Sequence, residues 1–148
     1  GLDFLMECHL MTFDDLLRVF DSWGHHLKTE HYWNFKQYCL TMLRRKRVLC
    51  VMNGDKIQAI VFFFITNDYV RLYKKGEFES PDDIETGFQM YIDKMLCKYW
   101  TPATRRAIQD MIEERFPHVK EAYYHRAPKD RCVTIRRRTC YDNHAAIR

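Results

Sequence analysis

Histidine and cysteine are the first side chains to weigh. His25, His26 and His31, with Cys8 and His9, supply the nitrogen and sulfur donors that zinc takes. Zinc ligands recur at tight spacings, and only His26 and His31 come near one. A solvated helix–loop–helix junction accounts for the group as well, and no metal is expected. Six cysteines and seven histidines also allow a Cys nucleophile with a His base, but residues this numerous pair by chance. Cations form two blocks, Arg44-Arg45-Lys46-Arg47 and Arg136-Arg137-Arg138. The first sits where a helix should end; the dipole there disfavours anions, yet four cations outweigh it at close range. A solvated helix end is the plainer reading. In the second, Arg136 and Arg138 share one side of a strand and could present paired guanidiniums to phosphate or carboxylate, or simply blunt an edge strand against aggregation. Tyr123-Tyr124-His125-Arg126 mixes stacking groups with cations, as single-stranded nucleic acid requires. No Gly-x-Gly-x-x-Gly, Walker-type or Gly-x-Ser-x-Gly pattern occurs, and there are only five glycines, so a glycine-rich phosphate cradle is not expected.

The elements that hold these side chains begin with a strand over Asp3–His9. Thr12 with Asp15 forms a capping box, with Asp in place of the usual Glu or Gln. Phe13, Leu16, Leu17 and Phe20 then share a helix face, and Gly24 is a natural stop. Thr29 caps a second helix with apolar positions Tyr32, Phe35, Cys39, Met42 and Leu43. Val48–Met52 and Lys56–Ile65 flank Asn53-Gly54, the strongest hairpin signal in the chain. Beyond Ala59 the second arm is apolar on both faces, which predicts a central strand covered on both sides. Tyr69–Tyr73 alternates as a third strand. Ser80-Pro81-Asp82-Asp83 reads as a helix start, with Ile84, Phe88, Tyr91, Ile92, Met95, Leu96 and Tyr99 as its apolar face. Thr101-Pro102 starts another helix, stopped by Pro117, and Val119–Arg126 and Cys132–Arg138 close as strands. The fold class is mixed α/β, α+β-like, with a largely antiparallel central sheet flanked by about four helices.

Composition agrees. Hydrophobic residues make up 47% and charged residues 30% of the 148, the profile of a globular domain. Lys plus Arg number 24 against 20 Asp plus Glu, a net charge of +4, well short of a dedicated DNA-binding domain. An acidic stretch, Glu77–Glu85, lies between the basic blocks and polarises the chain. The longest uncharged apolar run, Ala59–Ile65, has seven residues, far below the roughly 20 that cross a bilayer, so no membrane association is expected. No Cys-x-x-Cys occurs, and Cys39, Cys50 and Cys97 sit in apolar runs. The thiols should be free and reduced, which places the expectation in the cytoplasm. Gly1–Phe4 lacks the features of a signal peptide. A single domain is expected over residues 1–138, with 139–148 as a mobile tail.

The element order, Thr12-Phe13-Asp14-Asp15-Leu16-Leu17 after an opening strand, the Val48–Ile65 hairpin and the strand at Tyr69–Tyr73 leading into a long helix together resemble the GNAT acyltransferase superfamily over roughly residues 3–138. The resemblance implies transfer of an acetyl group from acetyl-CoA to an amine. It implies a carboxylate or water as base, for which Glu77 and Glu79 are the candidates. A tyrosine would protonate the departing thiolate, Tyr123 or Tyr124. It also implies that the CoA diphosphate rests on backbone N–H groups at the start of the helix after the fourth strand. Tyr73, Lys74, Thr86 and Gly87 would surround the cofactor. The family's Arg/Gln-x-x-Gly-x-Gly/Ala loop is missing from that place, where Ser80-Pro81-Asp82-Asp83-Ile84-Glu85-Thr86-Gly87 stands instead. Like charges at 4 Å repel by about 4 kcal/mol at an effective dielectric near 20. The helix dipole returns about 0.3–1 kcal/mol at exposed sites, so repulsion wins unless Lys74 and Lys75 compensate or the functional turn begins later, at Thr86-Gly87. The loop is therefore atypical.

Three functions fit these readings. The first is a GNAT-like N-acyltransferase acting on an amine-bearing small molecule or protein. The second is an inactive scaffold of the same fold that contacts other proteins, for instance as a viral component in the host cytoplasm or virion. The third is a basic nucleic-acid-binding module using Arg44, Arg45, Lys46, Arg47, Arg136 and Arg138.

Overall fold

The Thr12 capping box forms as the sequence requires. The Thr12 N–H donates to Asp15 Oδ2 at 2.9 Å and the Asp15 N–H donates to Thr12 Oγ1 at 3.2 Å. A computed structural model describes residues 6–27, 32–71, 83–126 and 131–136. The elements are β1 (Met6–Leu10), α1 (Phe13–Leu27), α2 (Tyr32–Arg44), β2 (Val48–Asn53), β3 (Lys56–Thr66), β4 (Gln89–Cys97), α3 (Pro102–Arg115), β5 (Glu121–Arg126) and β6 (Arg131–Arg136). The sheet order is β1-β2-β3-β4-β5-β6. β1/β2, β2/β3 and β5/β6 pair antiparallel, while β4/β5 pair parallel. The fold is mixed α/β, as the element pattern implies. Among the described residues no helix is long and apolar enough to cross a membrane.

The chain divides into two compact units, Gly1–Phe62 with Met95–Ala107, and Phe63–Lys94 with Ile108–Arg148. In the first unit α1 lies on Asp15, Leu16 and Val19, all buried, whereas Phe13 and Leu17 are 57% and 47% exposed. The buried stripe is thus rotated from the expected Phe13/Leu17 face, because Asp15 is drawn inward by its bonds to Thr12 and His9. Gly24 does not stop α1, which runs on to Leu27. The cap expected at Thr29 lies outside the described residues. α2 ends in a Schellman turn: the Lys46 N–H donates to Leu43 O and the Arg47 N–H to Met42 O, both at 3.0 Å. Lys46 sits at φ 60°, a conformation that glycine usually fills. The β2–β3 loop is Gly54-Asp55, one residue later than the Asn53-Gly54 dipeptide predicts, since Asn53 pairs with Lys56. Gly54 carries φ +63°, as the first position of a II′ turn demands. Along β3, Ile57 to Thr66 are all buried, fitting a strand covered on both faces. Cys8, Cys39, Cys50 and Cys97 carry free thiols.

The second unit departs further from expectation. The chain is helical at 69–71 rather than strand, and Leu72 and Tyr73 lie outside the described residues. The long helix expected from Ser80 to Tyr99 is replaced, from Asp83 on, by a turn and β4. Met90, Tyr91 and Ile92 are buried consecutively, the mark of a strand with both faces covered. A short apolar run fits a 3.6-residue period and a two-faced strand equally well, and long-range pairing decides between them. Here Gln89–Ile92 register with Glu121–Tyr124. In α3, Ile108 and Ile112 are buried, as is Phe116 just beyond its end, and Phe63 and Phe116 meet edge to face at 5.3 Å between ring centres.

Candidate functional site

Of the residues expected to surround a cofactor, Tyr73 and Lys74 lie outside the described residues, as do Glu77 and Glu79. Thr86 and Gly87 are described, but they lead into a strand and not a helix. Gly87 is buried, and a Cβ on it would stand 2.6 Å from the Thr66 carbonyl oxygen and 2.9 Å from the Thr66 nitrogen. Its missing side chain admits the protein's own backbone. The same segment is stitched along the end of β3. The Ile65 N–H donates to Asp83 Oδ1 at 2.9 Å, the Ile84 N–H to Ile65 O at 2.7 Å, and the Phe88 N–H to Asn67 Oδ1 at 3.2 Å. Of the amides that were to meet a diphosphate, those of Ile84, Gly87 and Phe88 are bonded within the chain, and Asp83 is a structural acceptor. Beside Thr86 lies a cavity of about 170 Å³, lined in part by Glu85, Arg115 and His118. Its volume is below the ≈ 300–1,000 Å³ usual for small-molecule pockets.

Tyr123 is held in an aromatic stack. Its ring lies 4.3 Å from that of Tyr69 at 7°, and Tyr69 is 5.6 Å from Tyr91 at 29°. Tyr124 is described by its backbone alone; it pairs with Ile92 and Val133. Gln89 ties this region together, accepting from the Tyr69 N–H at 2.9 Å and donating to Glu121 at 3.0 Å. Of the basic blocks, Arg44 and Lys46 are exposed, but Arg47 is 4% exposed, so Arg44–Arg47 does not offer four cations to one partner. Arg136 is described by its backbone within β6.

A different segment gathers exposed cations around a helix start. The helix after the fourth strand is α3, and the turn before it, Lys98-Tyr99-Trp100-Thr101, belongs to the first unit. The buried Gln58 fixes this turn: its Nε2 donates to Tyr99 O at 2.7 Å, and the Lys98 N–H donates to Gln58 O at 3.0 Å. The Cys97 thiol donates to the same carbonyl at 3.0 Å. Burial raises the Cys97 thiol above its ordinary range, opposed by its bond to Tyr99. Thr101 caps α3, its Oγ1 accepting from the Thr104 N–H at 3.1 Å, and the fully buried Thr104 hydroxyl lies 3.0 Å from the Thr101 hydroxyl. Lys98, Arg105 and Arg106 are exposed around this turn, and no carboxylate occurs from Lys98 until Asp110. Tyr99 and Trp100 are 68% and 38% exposed. Sequence reasoning misses this group because it runs a helix through Tyr99; the visible signal is Thr101-Pro102 preceded by a cation and two aromatics.

No protein-family profile matches the chain, and no curated protein matches it. Among solved structures, a provisionally named acetyltransferase from Staphylococcus aureus Mu50 is similar at 14% identity, covering 79% of this chain and 77% of that one, with a TM-score of 0.42. A likeness of that size does not by itself assign an activity to this chain.

Proposed function

We propose that this chain is a GNAT-like N-acyltransferase that seats the diphosphate of acetyl-CoA on the first turn of α3. One observation carries the reading. The helix that follows the fourth strand opens with Lys98-Tyr99-Trp100-Thr101-Pro102-Ala103. That segment keeps the cation-first, small-last spacing of the Arg/Gln-x-x-Gly-x-Gly/Ala loop, with Thr101 at the inner glycine position. The sign of the charge decides between the two places. Each cation 4 Å from a phosphate contributes attraction of about 4 kcal/mol at an effective dielectric near 20, and a helix N-terminus adds about 0.3–1 kcal/mol. Asp82, Asp83 and Glu85 would repel the same group by similar amounts. The parallel β4–α3–β5 crossover supports the same scaffold. The exposed rings of Tyr99 and Trp100 suit the purine of the donor by stacking.

In this reading the amine attacks the thioester carbonyl, Glu77 or Glu79 takes the amine proton, and a tyrosine returns one to the CoA thiolate. Tyr123 is engaged in the stack with Tyr69, so Tyr124 is the proposed acid. Calorimetric titration with acetyl-CoA tests the donor site. Binding is expected, with affinity reduced at least about 10-fold by Arg105→Glu or Arg106→Glu, since one opposed contact exceeds the 1.4 kcal/mol that a factor of ten represents. No binding at millimolar acetyl-CoA would end this assignment. Binding without acetyl transfer to any amine would leave the scaffold and remove the enzyme.

A further inference from the structure

The first unit brings three side chains with metal-binding atoms to one point. The β1/β2 register sets His9 directly opposite Cys50, so their side chains leave the sheet on the same face. The capping box turns the Asp15 carboxylate toward them: His9 Nε2 lies 2.8 Å from Asp15 Oδ2. One ligand atom from each of His9, Asp15 and Cys50 lies within 4.8 Å of the other two. We propose that His9, Asp15 and Cys50 form a three-ligand site for a zinc-type divalent ion.

Geometry, donor type and charge agree on this. Zinc bonds of about 2.0–2.3 Å in a tetrahedron hold ligand atoms about 3.3–3.6 Å apart. The His9–Asp15 pair would open by roughly half an ångström from its hydrogen-bonded distance, and the Cys50 sulfur, within 4.8 Å of both, would close on them by up to about 1.2 Å. An imidazole, a carboxylate and a thiolate together suit zinc. The oxygen is too hard for Cu(I), and the sulfur too soft for Mg²⁺ or Ca²⁺. A dication with one carboxylate and one thiolate sums to zero charge, which removes the largest penalty of a buried ion. The His9 side chain is 43% exposed, giving solvent a path to the fourth position, as three-ligand zinc sites keep. Binding breaks the Cys50 S–H bond and forms a sulfur–metal bond. The thiol proton goes to the buffer, the hydrogen that His9 Nε2 shares with Asp15 is handed through solvent to Nδ1, and water leaves the ion. In the metal-free chain that thiol donates weakly to Met52 Sδ at 3.6 Å. Burial, with Asp15 and Cys8 nearby, holds the thiol up at about 12 against the opposing effect of Arg18. The metal must therefore displace the proton.

Cobalt(II), a coloured stand-in for zinc, tests the site on the full chain under reducing conditions. One equivalent should produce a thiolate-to-cobalt charge-transfer band together with tetrahedral d–d bands, and zinc should bleach both. Cys50→Ser should abolish the charge-transfer band, while Cys97→Ser should keep it. Asp15→Asn retains an acceptor for the Thr12 N–H but removes the anion. It and His9→Gln, at a half-exposed ring, should each weaken cobalt binding at least about 10-fold, the lower bound seen even for changes outside the ligand shell. A wild-type chain with no thiolate band overturns the proposal, as does a folded His9→Gln chain that binds cobalt like wild type. Neither outcome bears on acetyl-CoA binding at α3.

Discussion

Asp15 shows how one side chain can serve two neighbours. Burial alone would raise its carboxyl pKa, but the Thr12 N–H, His9 and the Thr12 hydroxyl outweigh burial and hold it below the ordinary carboxylate value. Thr12→Ala removes half of the reciprocal cap and should cost about 1 kcal/mol, within the 0.5–2 kcal/mol seen for helix caps. For a chain of this size that is a fall of about 2–4 °C in melting temperature, read by circular dichroism. Gly87 makes a second prediction at this scale. A methyl group there meets Thr66 backbone atoms at 2.6–2.9 Å, and backbone cannot swing aside as a side chain can. Gly87→Ala should destabilise by about 1–3 kcal/mol, as overpacking does, measured by urea unfolding. An unchanged midpoint would mean that the segment 83–89 lifts off β3. From sequence alone that glycine is expected beside a cofactor, and its approach to Thr66 was not legible, since nothing local says that Thr66 will come near it.

At the level of elements, the legible parts are those governed by near neighbours. The capping box, the hairpin, the two-faced strand β3 and the Thr101-Pro102 helix start all follow from residues within a few positions of one another. The parts that escaped need a distant partner. Gln89–Cys97 is a strand because Glu121–Tyr124 pairs with its first half, and its 3.6-residue periodicity carries no knowledge of that strand. Reading it as a helix as far as Tyr99 also hid the turn at Lys98–Thr101 that leads from β4 into α3. The α2 terminus offers a test of local backbone energetics. Lys46 holds φ 60°, where an L-residue pays roughly 1–2 kcal/mol that glycine does not. Lys46→Gly should therefore raise stability by about 0.5–1 kcal/mol despite the more flexible unfolded chain, seen as a higher melting temperature with an unchanged urea m-value.

For the molecule as a whole, a net charge of +4 says little, whereas along the sequence the acidic stretch Glu77–Glu85 is followed by Lys98, Arg105 and Arg106 with no carboxylate among them. Attraction between exposed cations and a diphosphate is screened over a Debye length of about 10 Å at 0.1 M salt and about 3 Å at 1 M. Acetyl-CoA affinity should thus fall by at least several-fold between those two salt concentrations. A salt-independent affinity would point to stacking or burial as the source of binding. The division into units has its own consequence for synthesis. Neither unit is a contiguous stretch, because the boundaries fall within β3, β4 and α3. A ribosome that has made the chain as far as Lys94 has completed neither. The first becomes whole only when Ala107 emerges, and the second must wait for the segment beyond it. Early unfinished strands need shielding in the meantime, so nascent chains halted between Phe63 and Met95 should be the ones most readily captured by chaperones.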